Sequence, residues 1–410
     1  MQLTERHFIK PTHPLHDECD RLCFASKNIF NRANYIVRTE YEDKGTYTAL
    51  SDLYGAMKGE ECMAQLPPKV AQQTLRSLKS AWESYFKLLK AKRKGRLPEG
   101  QKVNVPKYLP KEDGRHVATY SYQAVSKKVF DKARKVKLSQ CAVEVPTKVE
   151  RFADIACVRI VPKIYGYVVE VVYNVEDVEP LKSNRTYAAI DLGVNNLATI
   201  TFSKRGEAPL IVNGRPLKSV NQYYNKRLAD LRSRLPNDKR TSKRIKHLTA
   251  KRNAKVDDYM HKASKAIVCE VQRVGAHKVI VGHNEGWKQE VGMSHVNNQS
   301  FVSIPHSRFV AQLRYKCERA GITLVTVEES YTSQASFLDL DPMPVYGEDG
   351  ADEVAFSGYR ECRGLYKRKG IKERINADVN SSYNIMRKAI PTAFAKGVEG
   401  VVVRPRRLTL

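Results

Sequence analysis

The sequence is short of acidic residues, tryptophan, paired cysteines and long apolar runs, and most of these shortages close off a class of protein. Asp and Glu total 44 against 71 Lys and Arg, so the net charge over 410 residues is 71 − 44 = +27. An excess of this size, spread along the chain, calls for a polyanionic partner, and nucleic acid is the usual one. No uninterrupted apolar stretch reaches the roughly 20 residues that a bilayer-spanning helix needs. The first ten residues, MQLTERHFIK, carry charges where a signal peptide needs an apolar run, so a cytoplasmic protein is expected. The eight cysteines are scattered, with only Cys19 and Cys23 close together and no CxxC. Neither a disulfide framework nor a zinc site is expected from them.

What is present changes in texture along the chain, whose length suits two or three domains. Residues 1–15 supply at most one short strand. From Asp20 to Tyr41, Leu22, Ile29, Ala33 and Ile36 recur at near-helical spacing. After Pro67 and Pro68 a second helix carries Val70, Thr74, Leu78, Trp82, Tyr85 and Leu89 on one stripe. It runs out into the basic Lys90–Arg96. Such a basic end is a solvated helix terminus or a phosphate-contacting edge.

From Val103 to Val178 proline, glycine, tyrosine and β-branched residues dominate. Ile155–Val161 and Tyr165–Tyr173 read as a hairpin joined by Pro162–Ile164. A small β-barrel or twisted sheet is expected. The lysines from Lys127 and Lys128 to Lys137 interleave with Tyr120, Tyr122 and Phe130. That pattern suits RNA, by phosphate contact and base stacking, or core aromatics beside surface lysines.

From Tyr187 strands and helices alternate. Strands at 187–190, 197–202 and 209–213 precede helices at 217–235 and 239–274. The second helix opens on Lys239, Arg240, Lys243 and Arg244. Strand 278–281, helix 305–320, strand 323–327 and helix 377–390 follow. The order βββ-α-β-α-β-α is that of an RNase H-like fold. Residues 334–372, rich in Gly, Asp and Pro, read as an insertion.

Two aspartates stand out. Asp191 ends an apolar strand and precedes Leu192 and Gly193, a setting that lets a carboxylate approach metal and phosphate; a plain turn residue is the alternative. Asp378 stands in the first turn of a helix, where capping would also explain it. In an RNase H-like topology that helix end abuts the first strand, so the two converge. Phosphodiester cleavage needs such a site, with two magnesium ions held by carboxylates.

The run Ala189-Ile-Asp-Leu-Gly-Val-Asn-Asn-Leu-Ala-Thr199 resembles the first RuvC motif of the transposon-encoded TnpB (OrfB) family. Asn376-Ala-Asp-Val-Asn-Ser-Ser-Tyr-Asn-Ile385 resembles its third motif, and Tyr331-Thr-Ser-Gln334 the approach to its zinc-binding insertion. The resemblance covers nearly the whole chain and is most specific over 187–385. It implies an RNA-guided, Mg²⁺-dependent DNA endonuclease related to type V CRISPR effectors, in a prokaryotic, nucleoid-associated setting. Guide RNA and target double-stranded DNA would be its partners, and Asp191 and Asp378 two of three metal ligands. The implied architecture is multidomain α+β. It comprises a β-barrel wedge domain (1–15 and 103–182), a helical recognition domain (16–102), an RNase H-like RuvC domain (183–333 and 373–410) and an insertion (334–372). Lys92, Arg93, Lys94, Arg96, Lys127, Lys128, Lys239, Arg240, Lys243 and Arg244 would track phosphates.

Two departures qualify this. The family's second RuvC motif ends the fourth strand with Glu, and here Gly282 holds that place. Glu329, past the fifth strand, is the expected replacement, with Glu285 second and Glu328 third. The insertion keeps only Cys362, so no zinc is expected there; Phe337, Leu338, Phe356 and Leu365 would hold it instead. Trp287 and Lys288, ahead of Gln289, would border the DNA channel or lie buried. His283 would contact substrate or play a structural part, and Arg404–Arg407 would form a disordered phosphate-binding tail. The missing Glu also leaves open a nuclease-inactive, RNA-guided repressor, and a transposase or resolvase of the same fold is a third reading.

Overall fold

A computed structural model describes the chain except residues 48, 99, 238, 284–303, 346, 348–353 and 363. It divides into two units, Met1–Glu176 and Asp177–Leu410.

In the first unit, β1 (Gln2–Ile9) leads into α1 (His16–Lys44), α2 (Leu50–Met57), α3 (Glu61–Ala64) and α4 (Pro68–Arg93). Then come β2 (Ala118–Ser121), α5 (Lys127–Ala133), β3 (Lys135–Lys137), β4 (Glu144–Pro146), β5 (Ile155–Lys163) and β6 (Gly166–Asn174). Helix α1 buries Cys19, Leu22, Cys23, Ile29, Ala33 and Val37 along one stripe and stops at Gly45, whose φ of 68° closes the left-handed cap. Helix α4 starts on Pro68 and buries Val70, Leu75, Leu78 and Trp82. The Trp82 indole donates to Asn34 Oδ1 at 3.0 Å, which satisfies its one polar atom in the core.

The sheet of this unit is antiparallel in the order β1-β6-β5-β2. Its edges are β1 and β2, and no pairing between described residues closes it into the expected barrel. The β5–β6 turn falls at 164–165, because Pro162 and Lys163 still pair within the ladder, so the join is shorter than Pro162–Ile164. Tyr120 and Phe130 are fully buried and Tyr122 is half-exposed, so core packing accounts for two of the three aromatics beside the lysines.

The second unit holds β7 (Tyr187–Leu192), β8 (Asn196–Phe202), β9 (Leu210–Asn213), α6 (Arg215–Ser233) and α7 (Lys243–Val274). Then follow β10 (Lys278–Gly282), α8 (His306–Arg319), β11 (Thr323–Val327), β12 (Gly358–Cys362), β13 (Leu365–Arg368), β14 (Arg374–Asn376), α9 (Ala377–Ala389) and β15 (Arg406–Arg407). The central sheet runs β11-β10-β7-β8-β9-β15. Strand β10 lies parallel between β7 and β11, while β7, β8 and β9 are antiparallel.

Alternation along β7 sorts the two faces. Ala188, Ile190 and Leu192 join the core that contains Val256, Met260 and Ile267 of α7 and Phe309 and Leu313 of α8. Ala189 joins the opposite core, with Val379, Tyr383, Ile385 and Met386 of α9. Asp191 follows Ala189 by two residues and therefore faces α9.

The 334–372 segment has more order than its composition suggests. Its strands β12 and β13 form a three-stranded antiparallel sheet with β14, which lies just past the segment. Phe337 is fully buried, but it stacks on Tyr383 of α9 at 4.3 Å and so belongs to the main core. Leu365 is 39% exposed, and Tyr366 beside it is the buried residue. Polar clamps do the rest. Asp341 accepts from the Ser336 and Ser357 amides at 2.8 and 2.9 Å, and Asp339 pairs with Arg368. The 404–407 segment is likewise ordered: β15 pairs in parallel with β9, and Arg406 reaches Glu270 at 2.8 Å.

Candidate functional site

Asp191 and Asp378 meet at the end of β7 and the start of α9. Gly193 permits the tight turn after Asp191, since a Cβ there would come within 2.6 Å of the Asn196 carbonyl oxygen. The cap of α9 belongs to Asn376, whose side chain accepts from the amides of Asp378 and Val379 at 3.0 and 3.1 Å. Capping therefore does not occupy Asp378. Its carboxylate takes a bond from Asn196 Nδ2 at 2.8 Å and pairs with Arg360 of β12 at 3.0 Å.

The buried polar residues of α9 fix its seat. Ser382 donates toward the carbonyls of Ala189 and Thr199 at 3.1 Å each and shares a 3.0 Å bond with Thr201. Asn380 and Asn384 bond the backbone of residues 332–337 from the other side. This run of Asn and Ser thus ties the helix to β7, β8 and the loop after β11. Asn196, Asn376 and Arg360 were not singled out as site residues. The first two lie inside the motif runs, and only Arg360 gave no sign.

The geometry around Gly282 is specific. A Cβ at this position would lie 2.6 Å from Glu329 Oε2 and 2.6 Å from Ile385 Cδ1. The Glu329 carboxylate therefore fills the space that a side chain on residue 282 would enter. Its neighbour Glu328 points elsewhere, into a pair with Lys388 that also bonds the Ser330 carbonyl. Glu285, Trp287 and Lys288 lie outside the described residues. His283, just past β10, donates its amide to the Val327 carbonyl at 3.0 Å.

The electrostatics link the carboxylates. Burial pushes the Asp191 carboxyl well above the usual carboxylate range, and the charges of Asp378 and Glu329 push it further, with Arg360 opposing. Burial raises Glu329 to about 7, and Glu328 adds to the rise. For Glu328, burial is outweighed by the bonds from Lys388 and Ser330, so it sits below the usual range. Among the described residues no three Asp, Glu, His or Cys side chains already stand at metal-ligand spacing. Asp378 is turned to Arg360 and Asn196. The donor set is still one of oxygens alone, in a cluster whose charges repel, and that suits a hard divalent cation.

The basic residues form a separate pattern. Lys92, Arg93, Lys94, Arg96, Lys127, Lys128, Lys239, Arg240, Lys243 and Arg244 are all exposed. In the second unit Arg244 also lines a cleft of about 370 Å³ between α6 and α7, with Tyr223, Arg227, Arg234, His247 and Lys251. No described helix is long and apolar enough to cross a membrane.

The architecture is mixed α+β, with acidic residues at the centre of the larger sheet, and it can be compared with known proteins. Residues 170–288 match the OrfB_IS605 family, described as a probable transposase, and residues 306–385 match the Cas12f1-like TNB domain. Over these two stretches the chain is similar to the OrfB_IS605 family and to the Cas12f1-like TNB domain. No curated protein matches it. Among solved structures, a Cas12f1–sgRNA–target DNA complex is 14% identical, with a TM-score of 0.38, over 95% of this chain and 100% of the other. A CRISPR–Cas12f ternary complex is 13% identical, with a TM-score of 0.37, over 90% and 80%. An AacC2c1–sgRNA binary complex is 9% identical, with a TM-score of 0.34, over 86% and 63%. TM-scores below 0.5 do not establish a shared fold.

Proposed function

We propose that the protein is an RNA-guided, Mg²⁺-dependent DNA endonuclease with one RuvC site, and that Asp191, Glu329 and Asp378 hold its metal. The observation that carries this reading is the Glu329 carboxylate in the notch above Gly282, in charge contact with Asp191. The missing second-motif Glu would thereby be replaced from the loop that follows β11. Bound magnesium would activate water and stabilise the leaving oxygen. The protein's own residues prepare that chemistry. Asn376 caps α9 so that the Asp378 carboxylate is not spent on capping, Asn196 orients it, and Ser382 ties the helix to β7 and β8.

On the same reading, residues 16–102 form the recognition part, and 1–15 with 103–182 the wedge. Residues 183–333 with 373–410 form the RuvC domain, and 334–372 a target-binding insertion without zinc. Guide RNA pairing would supply sequence specificity, and the protein would read a short flanking motif. None of the ten exposed basic residues named above makes an ion pair with a described residue, which leaves them available to phosphates.

The test is cleavage of a target plasmid by the protein with its copurifying RNA. Glu329→Gln should lower the rate on the order of a hundredfold or more, as loss of a metal-positioning carboxylate does. Glu328→Gln should leave cleavage within roughly threefold, since the Glu328 carboxylate is turned to Lys388 and away from the acidic cluster. Full activity in Glu329→Gln would remove Glu329 from the site. A second reading, RNA-guided DNA binding without cleavage, is favoured by the Arg360–Asp378 pair, and specific binding with no nicking in Mg²⁺ would establish it. A transposase or resolvase would purify without a defined RNA.

A further inference from the structure

Thr199 lies directly across from Asp191 in the β7–β8 ladder. Directly paired residues in an antiparallel ladder point to the same face, with Cβ atoms about 4.5–5.5 Å apart. Thr199 is 1% exposed, and its hydroxyl has no hydrogen-bond partner among the described residues. Its neighbours on that face are satisfied. Thr201 bonds Ser382, and Ser382 also bonds the Thr199 carbonyl. The strand needs only a β-branched residue here, and Val would supply that shape without a buried hydroxyl. A hydroxyl stripped of water with no partner weakens the fold, so its presence beside an acidic cluster asks for a role.

We infer that Thr199 is a positioning residue whose hydroxyl donates to the Asp191 carboxylate, or to a water on the same cation, when the carboxylates hold a divalent ion. The inference rests on the metal-holding reading above. It adds a residue outside the acidic set, carried by the orphaned hydroxyl and the strand register. Partners of this kind orient a metal-holding carboxylate, and Thr199 is the residue directly across the ladder from Asp191.

The full-length protein with its copurifying RNA is titrated with Mn²⁺ by electron paramagnetic resonance, and thermal unfolding is followed in chelator. Thr199→Val should unfold at the same temperature or higher, yet bind Mn²⁺ roughly tenfold more weakly, in the range for lost outer-shell partners. Thr199→Ser, which keeps the hydroxyl, should bind within about twofold of the parent. If Asp191→Asn and Asp378→Asn leave Mn²⁺ binding intact, the carboxylate reading itself fails. If they abolish it while Thr199→Val binds like the parent, only the role of Thr199 is overturned. Should Thr199→Val fold poorly, comparing Thr199→Ala with Thr199→Ser decides the same point.

Discussion

Arg360 reaches from β12 to within 3.0 Å of Asp378, and its charge is also felt by Asp191. It thus neutralises part of the acidic cluster that a divalent cation would have to enter. Arg360→Ala should raise Mn²⁺ affinity, by up to about fivefold, since a pair this exposed is worth up to about 1 kcal/mol. A Mn²⁺ titration of the variant checks this, and unchanged or weaker binding would mean that the pair does not compete with the ion. At this scale the sequence was partly legible. Asp191 and Asp378 could be read from their motif runs. The fit of Glu329 into the Gly282 notch depends on the parallel register that sets Gly282 opposite Val327, and only three-dimensional pairing supplies that. Arg360 sits in a short strand with no periodic signature, so nothing in its neighbourhood pointed to Asp378.

At the scale of elements, the polar ties between helices and strands were the least visible feature. His116 is one such tie. It stacks on Phe30 of α1, its ring nitrogens lie 3.0 Å from Ser26 and 3.4 Å from Ser77, and burial holds it below its ordinary value of 6.5. The unfolded chain takes up a proton near 6.5 while the folded one resists, so the stability held above that pH is lost as pH falls. His116→Phe keeps the stack and removes the titration. The urea midpoint of the parent should therefore drop more steeply than that of the variant between about pH 7 and pH 5. Parallel slopes would mean that the ring does not titrate in this window. Long amphipathic helices and the βββ-α-β-α-β-α order were readable, because periodicity over many residues is a strong signal. Strands β12, β13 and β14 were not, because three to five residues are too few to show alternation.

For the whole molecule the governing quantity is the +27 charge. Its exposed, unpaired part should dominate nucleic-acid affinity. Replacing Lys239, Arg240, Lys243 and Arg244 together by Ser should flatten the logarithmic salt dependence of RNA binding, by roughly 0.9 for each duplex phosphate that is no longer neutralised. A filter-binding series in salt reads that slope, and an unchanged slope would place the phosphate-binding residues elsewhere. The change of texture at Val178 falls close to the division at residue 176, whereas the pairing of residues 406–407 depends on residues distant in sequence meeting in space.

That last pairing has a practical side. Strand β15 is only two residues long, yet it covers the outer edge of β9, and Arg406 and Leu408 bond its backbone at Pro209 and Ile211. Trimming the chain before Arg406 would bare a row of peptide groups along Leu210–Asn213, a ready template for a strand from another molecule. The cost of such a truncation would be stickiness rather than unfolding, so any shortened form should be judged first by its tendency to self-associate.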